Sequence, residues 1–154
     1  MKVIFLDVDG VLNCKESWEH GPKIWKKLDK DKLERLKMLV QETGAVVVLS
    51  STWRLHDDSL EYLKKRGVKY LDCTPAGLYR NRGGEIDKWI SMHPEAKSYV
   101  ILDDDSDMLP CQESHFIQTS FDSGLQDSHV KKAISILGRA TKHKAIRRKT
   151  NGSR

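Results

Sequence analysis

The sequence predicts an α/β fold in which a central, mostly parallel sheet is covered by helices on both faces. The first observation is that short apolar runs alternate along the chain with longer segments whose apolar residues recur at helical spacing. The second is that the runs at 46–49 and 100–102 are continuously apolar, which is typical of strands buried on both sides. Strand–helix alternation of this kind indicates a Rossmann-like three-layer sandwich.

Each predicted element has its own signal in the sequence. Gly44 and Gly67 lie where the first two helices would end. Residues 14–29 break the alternation and predict a loop or flap after the first strand, and no insertion is large enough for a separate cap domain. Apolar runs predict strands at 2–7, 45–50, 68–71, 98–103 and 115–118, and amphipathic stretches predict helices near 30–43, 57–66, 84–93 and 126–138.

Length and composition predict a single soluble domain. The 154 residues are 38% hydrophobic and 32% charged, and no apolar run approaches the roughly 18–20 residues that span a membrane. The N-terminus lacks the pattern of a signal peptide, and the three cysteines are widely spaced. Sparse, reduced thiols indicate a cytoplasmic protein. The histidines show no metal-binding spacing, which argues against a zinc site.

The net charge of +5 is concentrated at the end of the chain. Residues 139–154 contain seven basic residues and no acidic one, whereas the rest of the chain has 20 basic and 22 acidic residues. This division predicts a domain at 1–138 followed by a basic C-terminal tail at 139–154. Such a tail often contacts nucleic acid, and a frayed, solubilising terminus is the alternative interpretation.

Two acidic clusters follow two of the predicted strands. Asp7 and Asp9 end the first strand and lead into Gly10, and the run 103–107 (Asp-Asp-Asp-Ser-Asp) follows the fourth strand. Ligands of parallel sheets bind beyond the carboxyl ends of the strands, so we expect these acids to meet. Carboxylate oxygens suit Mg²⁺, and the sequence therefore predicts a magnesium site assembled from distant parts of the chain.

Four motifs resemble those of the haloacid dehalogenase (HAD) superfamily of phosphotransferases. They are FLDVDGVLN at 5–13, VVVLSSTWR at 46–54, RGGEIDKWI at 82–90 and YVILDDDSDM at 99–108. The resemblance extends over roughly residues 1–138 and is closest to the small capless HAD domains of nucleic-acid repair proteins, including polynucleotide 3′-phosphatases. It implies a HAD-like fold without a large cap domain and Mg²⁺-dependent phosphoryl transfer.

The resemblance implies separate roles for the acids. Asp7 would be the nucleophile that forms an aspartyl-phosphate, and Asp9 would act as general acid and base. The metal would be held by Asp7, by the backbone carbonyl of Asp9 and by Asp103. Asp104 would be either a direct ligand or a support for one. Asp107 would support the turn, or it is simply a solvated acid.

The hydroxyl groups after the second strand would bind the phosphate. The family pattern implies that the Ser50 hydroxyl contacts a phosphoryl oxygen. Ser51 competes for this role, because sequence alone cannot place the end of a strand to one residue. Thr52 is a further candidate for substrate binding. Val11 stands where the family often has Thr, which departs from the pattern without affecting the two acids.

Basic residues are needed to neutralise the phosphoryl group. Arg82 is the candidate, although the family usually has Lys at this point, because it would precede a helix and reach the site. Lys88 is the alternative and lies inside the presumed helix. Arg54 and Arg80 could grip a nucleic-acid backbone, or they are ordinary surface charges.

These features predict a Mg²⁺-dependent phosphatase whose preferred substrate is a terminal 3′-phosphate of nucleic acid. A capless site suits a large substrate, and the basic tail suits a polyanion. The alternative enzyme is a nucleotidase or another small-molecule phosphatase that uses the 14–29 flap as a minimal cap. Alternatives of another class are a phosphoacceptor signalling domain and an inactive nucleic-acid-binding module. We expect a monomer with no membrane partner.

Overall fold

A five-stranded, all-parallel sheet forms the centre of the computed structural model, which describes residues 1–19, 28–77 and 81–141. The strand order is β3-β2-β1-β4-β5. The strands are β1 (Lys2–Leu6), β2 (Val46–Leu49), β3 (Asp72–Cys73), β4 (Ser98–Asp103) and β5 (Phe116–Gln118). The helices are α1 (Lys15–Glu19), α2 (Lys30–Thr43), α3 (Asp57–Lys65), α4 (Arg82–Met92) and α5 (Asp127–Leu137), and 3₁₀-helical turns lie at Thr52–Leu55 and Pro110–His115.

Two hydrophobic layers bury the two faces of the sheet. On β1, Ile4 and Leu6 face the layer that contains buried residues of α2, α3 and α5, whereas Val3 and Phe5 face the layer of α4. Both sets are fully buried, which explains why β1 is apolar at every position from Val3 to Leu6. The predicted three-layer α/β fold is therefore confirmed. None of the described helices is both long and apolar enough to cross a membrane.

The predicted third strand is misplaced by four residues. The apolar run 68–71 is not a strand, and pairing with β2 occurs at Asp72–Cys73. Val68 is buried in the core beside Leu63, but Leu71 is 59% exposed. The apolar run 68–71 is therefore explained by the burial of Val68, and it does not mark the residues that pair with β2.

The carboxyl ends of three strands meet at one edge of the sheet. Leu6 of β1 pairs with Leu49 of β2 and with Leu102 of β4. The residues that follow continue this register, because the Asp7 amide donates to the Leu102 carbonyl and the Ser50 amide donates to the Leu6 carbonyl, each at 3.0 Å. Asp7, Ser50 and Asp103 are thereby brought to the same edge.

The two ends of the segment predicted as a flap are held together by contacts among Ser17, Asp29 and Lys32, which we call the stem. The Ser17 hydroxyl donates to Asp29 Oδ2 at 2.7 Å, and the buried Lys32 ammonium lies 3.1 Å from the same oxygen. The Asp29 amide also donates to the Leu12 carbonyl at 2.9 Å. The middle of the flap, 20–27, lies outside the described residues.

The chain beyond α5 runs back along the end of α2. Arg139 forms an ion pair with Glu42, and the Ala140 amide donates to the Glu42 carbonyl at 2.8 Å. The rest of the basic tail, 142–154, lies outside the described residues. The division of the chain at residue 138 stays a prediction.

Candidate active site

A tight turn follows β1 and carries the first two acids. The amides of Val11 and Leu12 both donate to the Val8 carbonyl, at 3.1 and 2.8 Å. Gly10 has a φ of +78°, a conformation that favours glycine. The Thr119 hydroxyl donates to the Gly10 carbonyl at 2.7 Å and fixes the turn from the side of β5.

Arg82 connects the two acidic clusters. Its Nη1 lies 2.8 Å from Asp7 Oδ1 and 2.9 Å from Asp103 Oδ2. Arg82 is the first residue of α4, and not a residue before it, because Asn81 caps the helix by accepting from the Gly84 amide at 2.7 Å. Lys88 is exposed six residues further along α4.

Asp107 fixes the start of α4 against the loop after β4. Its Oδ2 accepts from the Arg82 amide and its carbonyl accepts from the Gly83 amide, each at 3.1 Å. Asp107 therefore links the first turn of α4 to the loop after β4.

Three carboxyl groups lie close enough to hold one metal ion. Oxygens of Asp7, Asp103 and Asp104 are all within 4.8 Å of one another, and the first two residues are buried. Asp103 is oriented by the Asp105 amide, which donates to its Oδ1 at 3.0 Å. When all three are ionised, the single guanidinium of Arg82 leaves a formal charge of −2. Hard oxygen donors with this charge fit Mg²⁺.

The electrostatics of the acids follow from burial. Burial raises the pKa of Asp7 to about 6, although the Arg82 guanidinium lowers it. Burial, together with repulsion from Asp7, raises the pKa of Asp103 to about 8, again against the effect of Arg82. Arg82 alone does not fully compensate the acids, which is a further reason why a divalent cation fits them.

Ser50 presents a buried hydroxyl without a partner. The residue is fully buried, and its Oγ is the only such side-chain atom found among the described residues. A buried hydroxyl without a hydrogen bond is costly, so such an atom in a functional site indicates a missing ligand. Ser50 lies beside Asp7 in the sheet register, where a phosphoryl oxygen would satisfy it.

The neighbouring candidates are placed differently from Ser50. The Ser51 hydroxyl accepts from the Trp53 amide at 3.1 Å and caps the 3₁₀-helical turn, which leaves its proton for a further contact. Thr52 is exposed next to it. Ser50 differs from Ser51 in that its buried hydroxyl has no hydrogen-bond partner at all.

Arg54 is turned into the protein. Its side chain is 4% exposed, pairs with Glu85 at 2.7 Å, and donates to the carbonyls of Ser50 and Ser51 at 3.0 and 2.7 Å. It therefore braces the backbone that presents Ser50, and this placement does not favour the alternative in which it grips a nucleic-acid backbone. Arg80, the other arginine suggested for that role, lies outside the described residues.

The carboxylate of Asp9 accepts hydrogen bonds from Asn13 and Trp53, two residues for which the sequence predicted no role in the site. Asn13 Nδ2 donates to Asp9 Oδ1 at 3.0 Å, and Trp53 Nε1 donates to Asp9 Oδ2 at 3.1 Å. The carboxylate of Asp9 does not belong to the three-acid cluster found in the described chain. The sequence contains only a weak indication of these two contacts. A buried Trp needs a partner for its N–H, and Asn13 is the last residue of the first motif.

Comparison with known families relates the chain to one family of protein domains. A family model described as the HAD domain in Swiss Army Knife RNA repair proteins matches residues 3–130. Searches among curated proteins and among solved structures gave no match. The matched range contains the turn after β1, the hydroxyls after β2, the start of α4 and the acids after β4. Because it covers most of the chain, the protein belongs to this family of HAD domains of RNA repair proteins.

Proposed function

We propose that the protein is a Mg²⁺-dependent phosphatase that removes a terminal phosphate, preferably a 3′-phosphate, from RNA through an aspartyl-phosphate intermediate. Membership of the HAD family supports a phosphatase in general. The finer proposal depends on one observation, which is that a carboxylate, a guanidinium and an unpartnered hydroxyl converge at one sheet edge. These groups are Asp7, Arg82 and Ser50.

The chain's own residues can perform both halves of the reaction. An oxygen of Asp7 attacks phosphorus, the bond from phosphorus to the ester oxygen breaks, and Asp9 gives that oxygen a proton. Asp9 then takes a proton from water as the water oxygen attacks phosphorus. The Asp7–phosphorus bond breaks, and phosphate and a free Asp7 carboxylate result. Arg82 and Ser50 bind the phosphoryl oxygens throughout.

The metal would be held by Asp7, Asp103 and Asp104. When bound, Mg²⁺ supplies positive charge that stabilises the charge spread over the transferring phosphoryl group. Arg82 contacts two of these three acids, so the protein's own cation lies where the phosphoryl charge is to be neutralised.

RNA as the substrate is supported by two features outside the acid cluster. The matched family consists of HAD domains of RNA repair proteins. The basic residues of 139–154 add positive charge beyond α5, which favours a polyanion over a small phosphate ester. A preference for free mononucleotides, as in a nucleotidase, would contradict this choice of substrate.

The test is phosphate release from three substrates, each of which carries one phosphomonoester. A 3′-phosphorylated oligoribonucleotide, its 5′-phosphorylated isomer and a mononucleotide are compared with Mg²⁺ and with a chelator. We expect the 3′-phosphorylated RNA to have the highest kcat/KM and the chelator to abolish release. Faster release from the 5′-isomer or the mononucleotide would overturn the substrate.

The nucleophile is tested by Asp7→Asn, which keeps the shape of the side chain and removes its charge. We expect this variant to lose phosphate release on all three substrates while its thermal unfolding remains cooperative. Mass spectrometry of the wild-type protein during turnover should show phosphate on the peptide that contains Asp7. An active Asp7→Asn protein would rule out the aspartyl-phosphate mechanism.

A further inference from the structure

Both carboxylate oxygens of Asp9 are engaged by donors from different parts of the fold. Asn13, four residues later, donates to Oδ1 at 3.0 Å. Trp53, in the 3₁₀-helical turn after β2, donates to Oδ2 at 3.1 Å. Asn13 is fully buried and Trp53 is 5% exposed, so neither donor is exchanged freely for water.

Each donor is itself held in place. Asn13 Oδ1 accepts from the Gly10 amide at 2.9 Å, which fixes the orientation of the side-chain amide and turns Nδ2 towards Asp9. The Trp53 amide donates to the Ser51 hydroxyl, and its ring lies 6.4 Å from the ring of Tyr62. The orientation of Asp9 is therefore set by the turn after β1 and by the turn after β2 together.

The two contacts also restrict where Asp9 can carry a proton. An indole N–H and an amide NH₂ only donate, so the Asp9 oxygens must accept from both. A proton on Asp9 has to occupy a lone pair that neither donor uses. The two donors thus limit the directions in which this carboxyl group can give or take a proton.

We infer that Trp53 and Asn13 are positioning residues for the proton transfers of Asp9. The inference rests on the proposed function, in which Asp9 gives a proton to the leaving sugar oxygen and then takes one from water. Loss of either donor frees the carboxyl group to rotate. The proton transfers then slow, whereas Asp7, Arg82 and Ser50 keep their positions around the phosphoryl group.

The test uses Trp53→Phe, which keeps a buried aromatic ring but removes the indole N–H and part of the ring volume. Two substrates separate a proton-transfer effect from a general one. The 3′-phosphorylated oligoribonucleotide has a sugar oxygen that needs a proton to leave, whereas p-nitrophenyl phosphate releases a phenolate that does not. We compare kcat/KM, which reports the steps up to departure of the leaving group and excludes the hydrolysis step that both substrates share. We expect kcat/KM to fall about tenfold more on the RNA, a part of the roughly 10²–10⁴-fold that acid–base catalysis supplies.

Trp89→Phe is the matched control. Trp89 is equally buried, and its Nε1 donates to a different acid, Asp72 Oδ2, at 2.8 Å. We expect this variant to keep the wild-type ratio of the two kcat/KM values. Partial unfolding lowers both kcat/KM values equally, so the ratio remains informative even if Trp53→Phe is less stable.

The outcomes separate this inference from the function on which it rests. An unchanged ratio in Trp53→Phe, or an equal change in Trp89→Phe, overturns the positioning role and leaves the phosphatase intact. A wild-type protein that releases no phosphate from either substrate overturns both. A changed ratio in Trp53→Phe alone supports the inference.

Discussion

Gly10 is required at its position for two independent reasons. Its φ of +78° is one that other residues rarely adopt. A Cβ at this position would also lie 2.4 Å from the Cγ of Asp104, far inside contact distance. The turn that carries Asp7 and Asp9 can approach the acids after β4 only because this residue has no side chain.

Gly10→Ala should therefore destabilise the protein and abolish phosphate release. The backbone conformation costs about 1–2 kcal/mol, and relief of the clash with Asp104 adds about 1–3 kcal/mol. Gly67→Ala is the control, because Gly67 has a similar φ of +82° but no atom within 4 Å of the added Cβ. Urea denaturation checks the prediction, and equal losses of stability in the two variants would contradict it.

Some contacts between single residues of the site could be predicted from the sequence, and others could not. Asp7 and Asp103 end buried strands of a parallel sheet, so their proximity could be predicted from the strand pattern. The contact of Trp53 with Asp9 could not, because the two residues are 44 positions apart and the rotation of an indole ring depends on its packing. The unused hydroxyl of Ser50 likewise becomes visible only when its neighbours are in place.

Arg82, the first residue of helix α4, contacts Asp7 and Asp103, so the residue at which the helix begins determines the geometry of the site. The sequence predicts this helix near 84–93, but the Asn81 cap extends it to Arg82. Gly83 fits against the loop after β4, since an added Cβ would lie 2.6 Å from the Leu109 amide nitrogen. The first turn of α4 can therefore approach this loop closely because Gly83 has no side chain.

Asn81→Ala should weaken both the helix and the site. Loss of the cap costs about 1 kcal/mol, and the freed first turn of α4 should lower kcat because Arg82 is displaced. Asn81→Asp keeps the acceptor for the Gly84 amide and should stay close to wild type. Thermal unfolding and steady-state kinetics test the pair, and equal impairment of the two variants would argue against capping as the cause.

Elements were predictable where local sequence decides the structure. Strand β4 and helix α2 have the predicted bounds of 98–103 and 30–43, because one is a continuous apolar run and the other is amphipathic and ends at Gly44. Strand β3 was misplaced because it has only two residues at a sheet edge, where pairing with β2 and not composition sets the register.

Across the whole molecule, the net positive charge comes from residues 139–154 of the sequence, whereas the site in the described chain is acidic. The folded pKa values of Asp7 and Asp103 are raised from the ordinary value of 3.8 to about 6 and about 8. The metal-free folded state therefore retains protons that the unfolded chain has already lost. The contribution of these groups to stability is present below about pH 4 and is lost as the pH rises to about 8.

Mg²⁺ should therefore stabilise the protein more at pH 8 than at pH 5. The ion binds ionised carboxylates, and it replaces the protons that compensate the cluster at lower pH. Thermal unfolding in chelator and in excess Mg²⁺ at the two pH values measures the shift in Tm. Asp103→Asn should reduce the shift, and a shift of the same size at pH 5 and pH 8 would contradict this account.

Removal of the basic tail tests RNA binding by the whole molecule. Truncation after Thr141 keeps the contacts of Arg139 and Ala140 with Glu42 and removes the later basic residues. We expect weaker RNA binding with a shallower salt dependence, by about 0.7 in the log–log slope for each phosphate of single-stranded RNA that the truncated protein no longer neutralises. An unchanged salt slope would remove the tail from RNA recognition.

The stem formed by Ser17, Asp29 and Lys32 ties together the two ends of one segment beside the turn after β1. The Asp29 amide donates to the Leu12 carbonyl, so the second end of the segment is held directly to that turn. When the ends of a loop are held in this way, each doubling of its length costs only about 0.6 kcal/mol. The fold therefore sets little energetic limit on the length of the segment that follows Ser17.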